Sequence, residues 1–89
     1  MRAIVTVIGR DRVGIIADVC TLLAGHKVNI LDISQTILQE YFTMIMLVDL
    51  AACDTPFAEL SSLLAAEGQK TALDIRIQRE EIFNIMYRI

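Results

Sequence analysis

The chain has 89 residues, 55% of them hydrophobic and 21% charged, enough for one domain around one core that buries about 60–65% of its unfolded surface. A net charge of −3, with acidic and basic side chains interspersed, provides no basic stripe for a phosphate backbone and argues against nucleic acid. No apolar run approaches the roughly 18–20 residues of a membrane span, and the N-terminus enters a strand pattern without a signal-type leader, so a soluble cytoplasmic protein with no membrane partner is expected.

Residues 2–9 are β-branched and apolar on both alternating faces, the pattern of a strand at the centre of a sheet. A charged turn then closes on Gly14, and 14–25 set Ile15, Ile16, Val19, Cys20, Leu22 and Leu23 at helical spacing, with Gly25 as the expected stop. Residues 28–40 alternate, with Leu31, Ile33 and Ile37 on one face and Asp32, Ser34 and Thr36 on the other, which suits a half-exposed edge strand. A hairpin is expected near residues 39–41. Beyond it, Phe42, Met44, Met46, Val48 and Leu50 share one face while Ile45 and Leu47 occupy the other, so neither face of this strand suits water.

Thr55-Pro56 has the form of an N-cap followed by proline at the first helical position. Phe57, Leu60, Leu63 and Leu64 then form a stripe expected to end at Gly68. Residues 72–79 alternate Leu73, Ile75 and Ile77 with Asp74, Arg76 and Gln78, as a strand with one wet face does. In the remaining residues, 80–89, Ile82, Ile85, Met86 and Ile89 recur at helical spacing. A short C-terminal helix is expected there, packed on the sheet or on a partner chain.

The order strand, helix, strand, strand, helix, strand predicts an α+β, ferredoxin-like βαββαβ sandwich: one four-stranded antiparallel sheet with two helices on one face. Its other face would expose apolar side chains of the first and third strands, which self-association would cover.

Chemistry is best supported at the turn 9–14. The first amides of a helix lack intrachain partners and lie at the positive end of its dipole, so they favour a carboxylate or phosphate. Gly14 lets a ligand approach them, and Asp11 or the flanking arginines can meet a ligand's ammonium or acid group. The competing structural roles are a helix cap for Asp11, close packing for Gly14 and solvated charges for Arg10 and Arg12. Asn29 offers an amide that reads both ends of a zwitterion, or serves as a turn residue. His26 has no second histidine to join it and reads as structural.

Catalysis has no support: no serine lies in a nucleophile motif, neither cysteine has a local histidine signature, and Glu80 and Glu81 are sequence neighbours that point apart. Cys20 and Cys53 read as reduced thiols, the methionines as core packing, and no metal or cofactor is expected. The heavy-metal carriers of this topology have Cys-x-x-Cys on the first loop, and the RNA-binding version carries stacking aromatics on its strands. This chain has no cysteine on that loop, only 6% aromatic residues with none on its first strand, and no glycine-rich loop like that of the acylphosphatase-like enzymes of the same fold.

Gly9-Arg10-Asp11-Arg12-Val13-Gly14-Ile15, Asn29-Ile30-Leu31-Asp32 and Phe42-Thr43-Met44 together resemble the ACT domain family, over essentially the whole chain. With its ending Ile82-Phe83-Asn84-Ile85-Met86, the chain is similar to small stand-alone ACT proteins and to the ACT segments of formyltetrahydrofolate deformylase and the glycine cleavage repressor. The resemblance implies a homodimer with adjoining sheets, or a higher oligomer, that binds a small amino acid or related metabolite at the subunit interface. Carried onto this chain, the ligand-binding residues are Asp11, Arg12, Val13, Gly14, Ile15, Asn29 and Ile30. Family members often have proline before the loop glycine; Val13 stands there instead, which loosens the turn and adds an amide. The expected function is regulatory and not enzymatic, with the sensed signal relayed to an unidentified protein partner. The rival reading is a purely structural interaction module without a ligand.

Overall fold

The computed structural model describes residues 1–82. The elements run β1 (Arg2–Arg10), α1 (Ile15–Gly25), β2 (Asn29–Leu38), β3 (Tyr41–Asp49), α2 (Phe57–Thr71) and β4 (Leu73–Arg79). They form one sheet in the order β2-β3-β1-β4 with every neighbouring pair antiparallel. This is the ferredoxin-like arrangement expected from the element order.

The alternation of side chains builds the two layers. Ala3, Val5 and Val7 of β1, Phe42, Met44, Met46 and Val48 of β3, and Leu73, Ile75 and Ile77 of β4 all point to one face and are buried. There they meet Ile15, Val19 and Leu23 of α1 and Leu60 and Leu64 of α2 in a single apolar cluster. A chain this short has material for one such core, and both helices are spent on the same side of the sheet. β1 is central because both of its faces are apolar; β2 is an edge, bonded to β3 alone.

Three local expectations are corrected. Leu31 does not share a face with Ile33 and Ile37: the pairing passes from Ile30↔Val48 to Asp32↔Leu47, so Leu31 is the extra residue of a bulge. Thr55 does not cap α2. The N-cap is Pro56, without a side-chain hydrogen bond, and the Thr55 hydroxyl donates to Asp54 Oδ1 at 2.7 Å instead. Gly68 does not stop α2, which continues to Thr71 and ends with Ala72 in the left-handed region at φ 60°. Gly68 is buried against β4, where a Cβ would lie 2.5 Å from the Leu73 carbonyl oxygen. It is a glycine of close approach between helix and strand.

Residues 80–82 turn helical, and Glu80 forms a 2.7 Å ion pair with Nε of Arg2. The expected packing of the C-terminal segment falls on 83–89, outside the described residues. Among the described residues no helix is long and apolar enough to cross a membrane.

Candidate functional site

The residues after β1 do not cap the helix that follows. Gly14 is the N-cap of α1 at φ 92°, ψ 0°, and no side-chain hydrogen bond caps the helix start. At that φ a side chain is strained, and a Cβ would find only Arg12 Nη1, at 4.0 Å. The conformation of the turn therefore requires glycine, and the space in front of it stays open. The close-packed glycine of this region is Gly9, where a Cβ would meet Leu73 Cδ2 at 2.5 Å.

The first α-helical hydrogen bond runs from the Asp18 amide to the Gly14 carbonyl at 2.9 Å, so the amides of Ile15, Ile16 and Ala17 precede it at the helix start. The Asp11 amide donates to the Glu40 carbonyl at 2.7 Å and ties the turn to the β2–β3 hairpin. Arg12 folds back over the first turn, donating to the Val13 carbonyl and to Asp18 Oδ2, each at 3.2 Å. These contacts hold the turn without filling the space beside it.

That space is a hollow of about 480 Å³ between the start of α1 and the upper half of β2. Asp11, Arg12, Gly14, Ile15, Ile16 and Ala17 form one wall; Gln35, Ile37 and Phe42 form the other. Its volume lies within the range of small-molecule sites, and its lining of apolar walls with a few polar groups suits a compact amphipathic molecule. The helix-start amides and dipole favour the anionic end of such a ligand; Asp11 and the Gln35 amide offer acceptors for a cationic end.

Of the sequence-predicted residues, Asp11, Arg12, Gly14 and Ile15 line the hollow. The Ile15 side chain is 2% exposed, so its backbone amide is the group it can present. Val13 does not line the hollow and is 98% exposed. Asn29 and Ile30 lie at the other end of the sheet: Asn29 is level with Asp49, which is level with Arg2, whereas the turn follows Arg10. A nine-residue strand is about 30 Å long, so one chain does not bring Asn29 to the turn.

Sequence reasoning missed Gln35, Ile37 and Phe42 as lining residues. The signal was present in the hairpin at 39–40, which returns β2 and β3 to the level of Gly9 and Arg10; the pairs Gly9↔Phe42 and Ile37↔Phe42 set them beside the turn.

His26 is placed as a structural link. Its Nδ1 lies 3.1 Å from Thr55 Oγ1 and 3.3 Å from Asp54 Oδ1, joining the end of α1 to the segment before α2. The Thr55 hydroxyl, followed by His26, holds the Asp54 carboxyl below the usual carboxylate range against the opposing effect of desolvation. Cys20 and Cys53 are unbridged thiols. Among the described residues no group of three or more His, Cys, Asp or Glu side chains has metal-site geometry.

Residues 2–78 match the family model of the ACT domain. A UPF0237 protein of Clostridium acetobutylicum is 56% identical over 89 residues, which is 100% of both chains. The solved structure of an ACT domain protein from Streptococcus pneumoniae superposes with a TM-score of 0.83 at 44% identity, covering 98% of each chain. A proposed glycine cleavage system transcriptional repressor (TM-score 0.72, 25% identity) matches 86% of this chain with 44% of its own. A formyltetrahydrofolate deformylase from Pseudomonas syringae pv. tomato shares the fold over 88% of this chain and 27% of its own, with a TM-score of 0.79 at 23% identity.

Proposed function

The chain belongs to the ACT domain family, and on that footing we propose that it is a cytoplasmic regulatory module, which binds a small amino acid or related metabolite at a homodimer seam and passes the bound state to a partner protein. The observation that carries this reading is the hollow of about 480 Å³ at the uncapped start of α1, one wall of which is the edge strand β2.

β2 supports the seam. It is ten residues long, exposed along nearly its whole length, and carries one charge, Asp32, and no proline or lysine. Natural edge strands are usually guarded against pairing by charges, prolines or bulges; here the bulge at Leu31 and the charge of Asp32 both lie toward one end, and the stretch from Ile33 to Leu38 carries no such guard and fits another strand. A two-fold axis at the middle of β2 would pair it antiparallel with its copy and set the partner's Asn29 level with Leu38. The partner's Asn29 and Ile30 would then stand beside this chain's turn and hollow. Asp11, Arg12, Gly14 and Ile15 of one chain and Asn29 and Ile30 of its partner would then form one site across the seam, although they are split within a single chain. A ligand bound there stabilises the dimer, or one geometry of it, and that difference is the signal.

Thermal melting against a panel of amino acids and their simple derivatives tests the proposal. A seam ligand at 100 times its Kd adds about 2.7 kcal/mol of stability. A panel without any shift returns the protein to the rival reading, a purely structural interaction module.

A further inference from the structure

We propose that the helix-free face of the sheet is an interface between dimers of this chain, joining two of them face to face as a tetramer; this rests on the β2 seam proposed above. On that face β1 presents Ile4, Thr6 and Ile8, and β3 presents Thr43, Ile45 and Leu47. Ile8 is 46% and Ile45 40% exposed. The outer strands differ: β4 presents Asp74 and Arg76, and β2 presents Asp32, Ser34 and Thr36. An antiparallel sheet that faces water is polar across its wet side. Here the charged groups lie on the two outer strands and at the ends of the central pair, where Arg2, Arg10 and Asp49 stand, so Ile4, Ile8, Ile45 and Leu47, with Thr6 and Thr43 among them, form a largely apolar centre inside a polar rim, the anatomy of a protein interface.

The area argues for a second copy and for the order of assembly. Four strands of this length make a face of about 600 Å² in plan. Twisted sheets touch along only part of such a face, so two isolated chains fall short of the roughly 800 Å² per partner of a stable interface. Joined through β2, two chains present a continuous eight-stranded face of about 1,200 Å² in plan, which meets that requirement with about two thirds of it in contact, a margin the single face does not have. The rim accepts a copy of itself, because Arg76 and Asp74 already pair at 3.1 Å and bring little net charge.

The test compares the full-length wild type with Ile45→Glu, at the centre of the face, and Ile33→Lys, at the middle of β2, by size exclusion with light scattering at micromolar concentration. Both side chains are partly exposed, and melting followed by circular dichroism verifies that each variant folds. Thr6→Glu, level with Ile45 on β1, serves as the second face variant. The expected states are tetramer for the wild type, dimer for Ile45→Glu and Thr6→Glu, and monomer for Ile33→Lys. A wild-type dimer that Ile33→Lys splits and Ile45→Glu leaves intact keeps the seam and overturns the face interface. A tetramer that withstands both face variants overturns it as well. A tetramer or dimer that Ile45→Glu breaks but Ile33→Lys does not removes the seam, and with it the area argument for this assembly.

Discussion

A methyl group at residue 14 and a methyl group at residue 68 meet different obstacles. Gly14→Ala adds no clash, but it holds alanine at φ 92°, a left-handed conformation that costs about 1–2 kcal/mol. Gly68→Ala replaces a poor helix former by the best one, a gain of about 1 kcal/mol in an open helix. Yet its Cβ would lie 2.5 Å from one β4 backbone atom and 3.2 Å from another. Backbone cannot rotate away as a side chain can, so α2 must separate from the sheet, and the net result is a loss of about 1–3 kcal/mol. Urea titration of both variants measures this, and a stabilised Gly68→Ala would contradict the packing. In sequence Gly14 marks a helix start and Gly68 a helix end, because a glycine near the end of an apolar stripe is read as a stop; only the position of β4 reveals the close approach at Gly68. Thr55 was misread for a similar reason, since its hydroxyl serves the adjacent Asp54 and His26, which lies 29 residues away in sequence. Asp54 is ionised in that contact, with its pKa lowered first by the Thr55 hydroxyl. A carboxyl held low in the folded state stabilises above its unfolded pKa, and that contribution is lost as pH falls through the folded value. Thr55→Val removes the donor, and the carboxyl resonance of Asp54 should then titrate at higher pH; an unchanged midpoint would assign the lowering to His26 and Lys27 instead.

At the level of elements, the period of the apolar residues carried most of the fold. β1, β3 and β4 keep strict alternation, and the helices keep their stripes, so the residues that share a face could be grouped before any contact was known; which face of β1 and β3 meets the helices was not marked, because both faces are apolar. β2 lost one assignment because a bulge moves a residue out of alternation without any mark in composition. The helical stripe on α2 can be checked directly. Leu63 and Leu64 are adjacent, yet Leu64 is fully buried while Leu63 is 37% exposed. Leu64→Ala should cost about 2–5 kcal/mol, because it opens a cavity among α2 and the sheet. Leu63→Ala should stay within about 1 kcal/mol, the range of a partly wet site without a special contact. Denaturant unfolding separates the two, and equal losses would mean that the face of α2 turned toward the sheet is wrong. The turn before α1 was legible for the same reason as the strands: a change of period from two to 3.6 across Gly14 locates a helix start. Its far wall was not, since Gln35 and Ile37 reach the turn only through the hairpin register.

For the whole molecule, the seam makes a claim that no single chain can satisfy. Within one chain Asn29 and the turn after Arg10 stand at opposite ends of the sheet, so if both serve one ligand, they come from different subunits. Complementation decides this. An Asn29→Ala chain keeps its own turn, and a Gly14→Val chain, with a branched side chain before the helix-start amides, keeps its own Asn29. Each variant alone should lose the stabilisation by whichever amino acid shifts the wild type, since every site in its homodimer is damaged. Unfolded together and refolded as a mixture, the two chains form heterodimers in which one seam site is wholly intact and the other doubly damaged. Random pairing makes half of the dimers mixed, so calorimetric titration should recover about a quarter of the wild-type ligand capacity at wild-type affinity. A site contained within one chain gives no recovery on mixing, and a ligand that never needed Asn29 gives full binding to that variant alone. Either result would detach the hollow at Gly14 from the β2 edge and leave the assembly without a role in sensing.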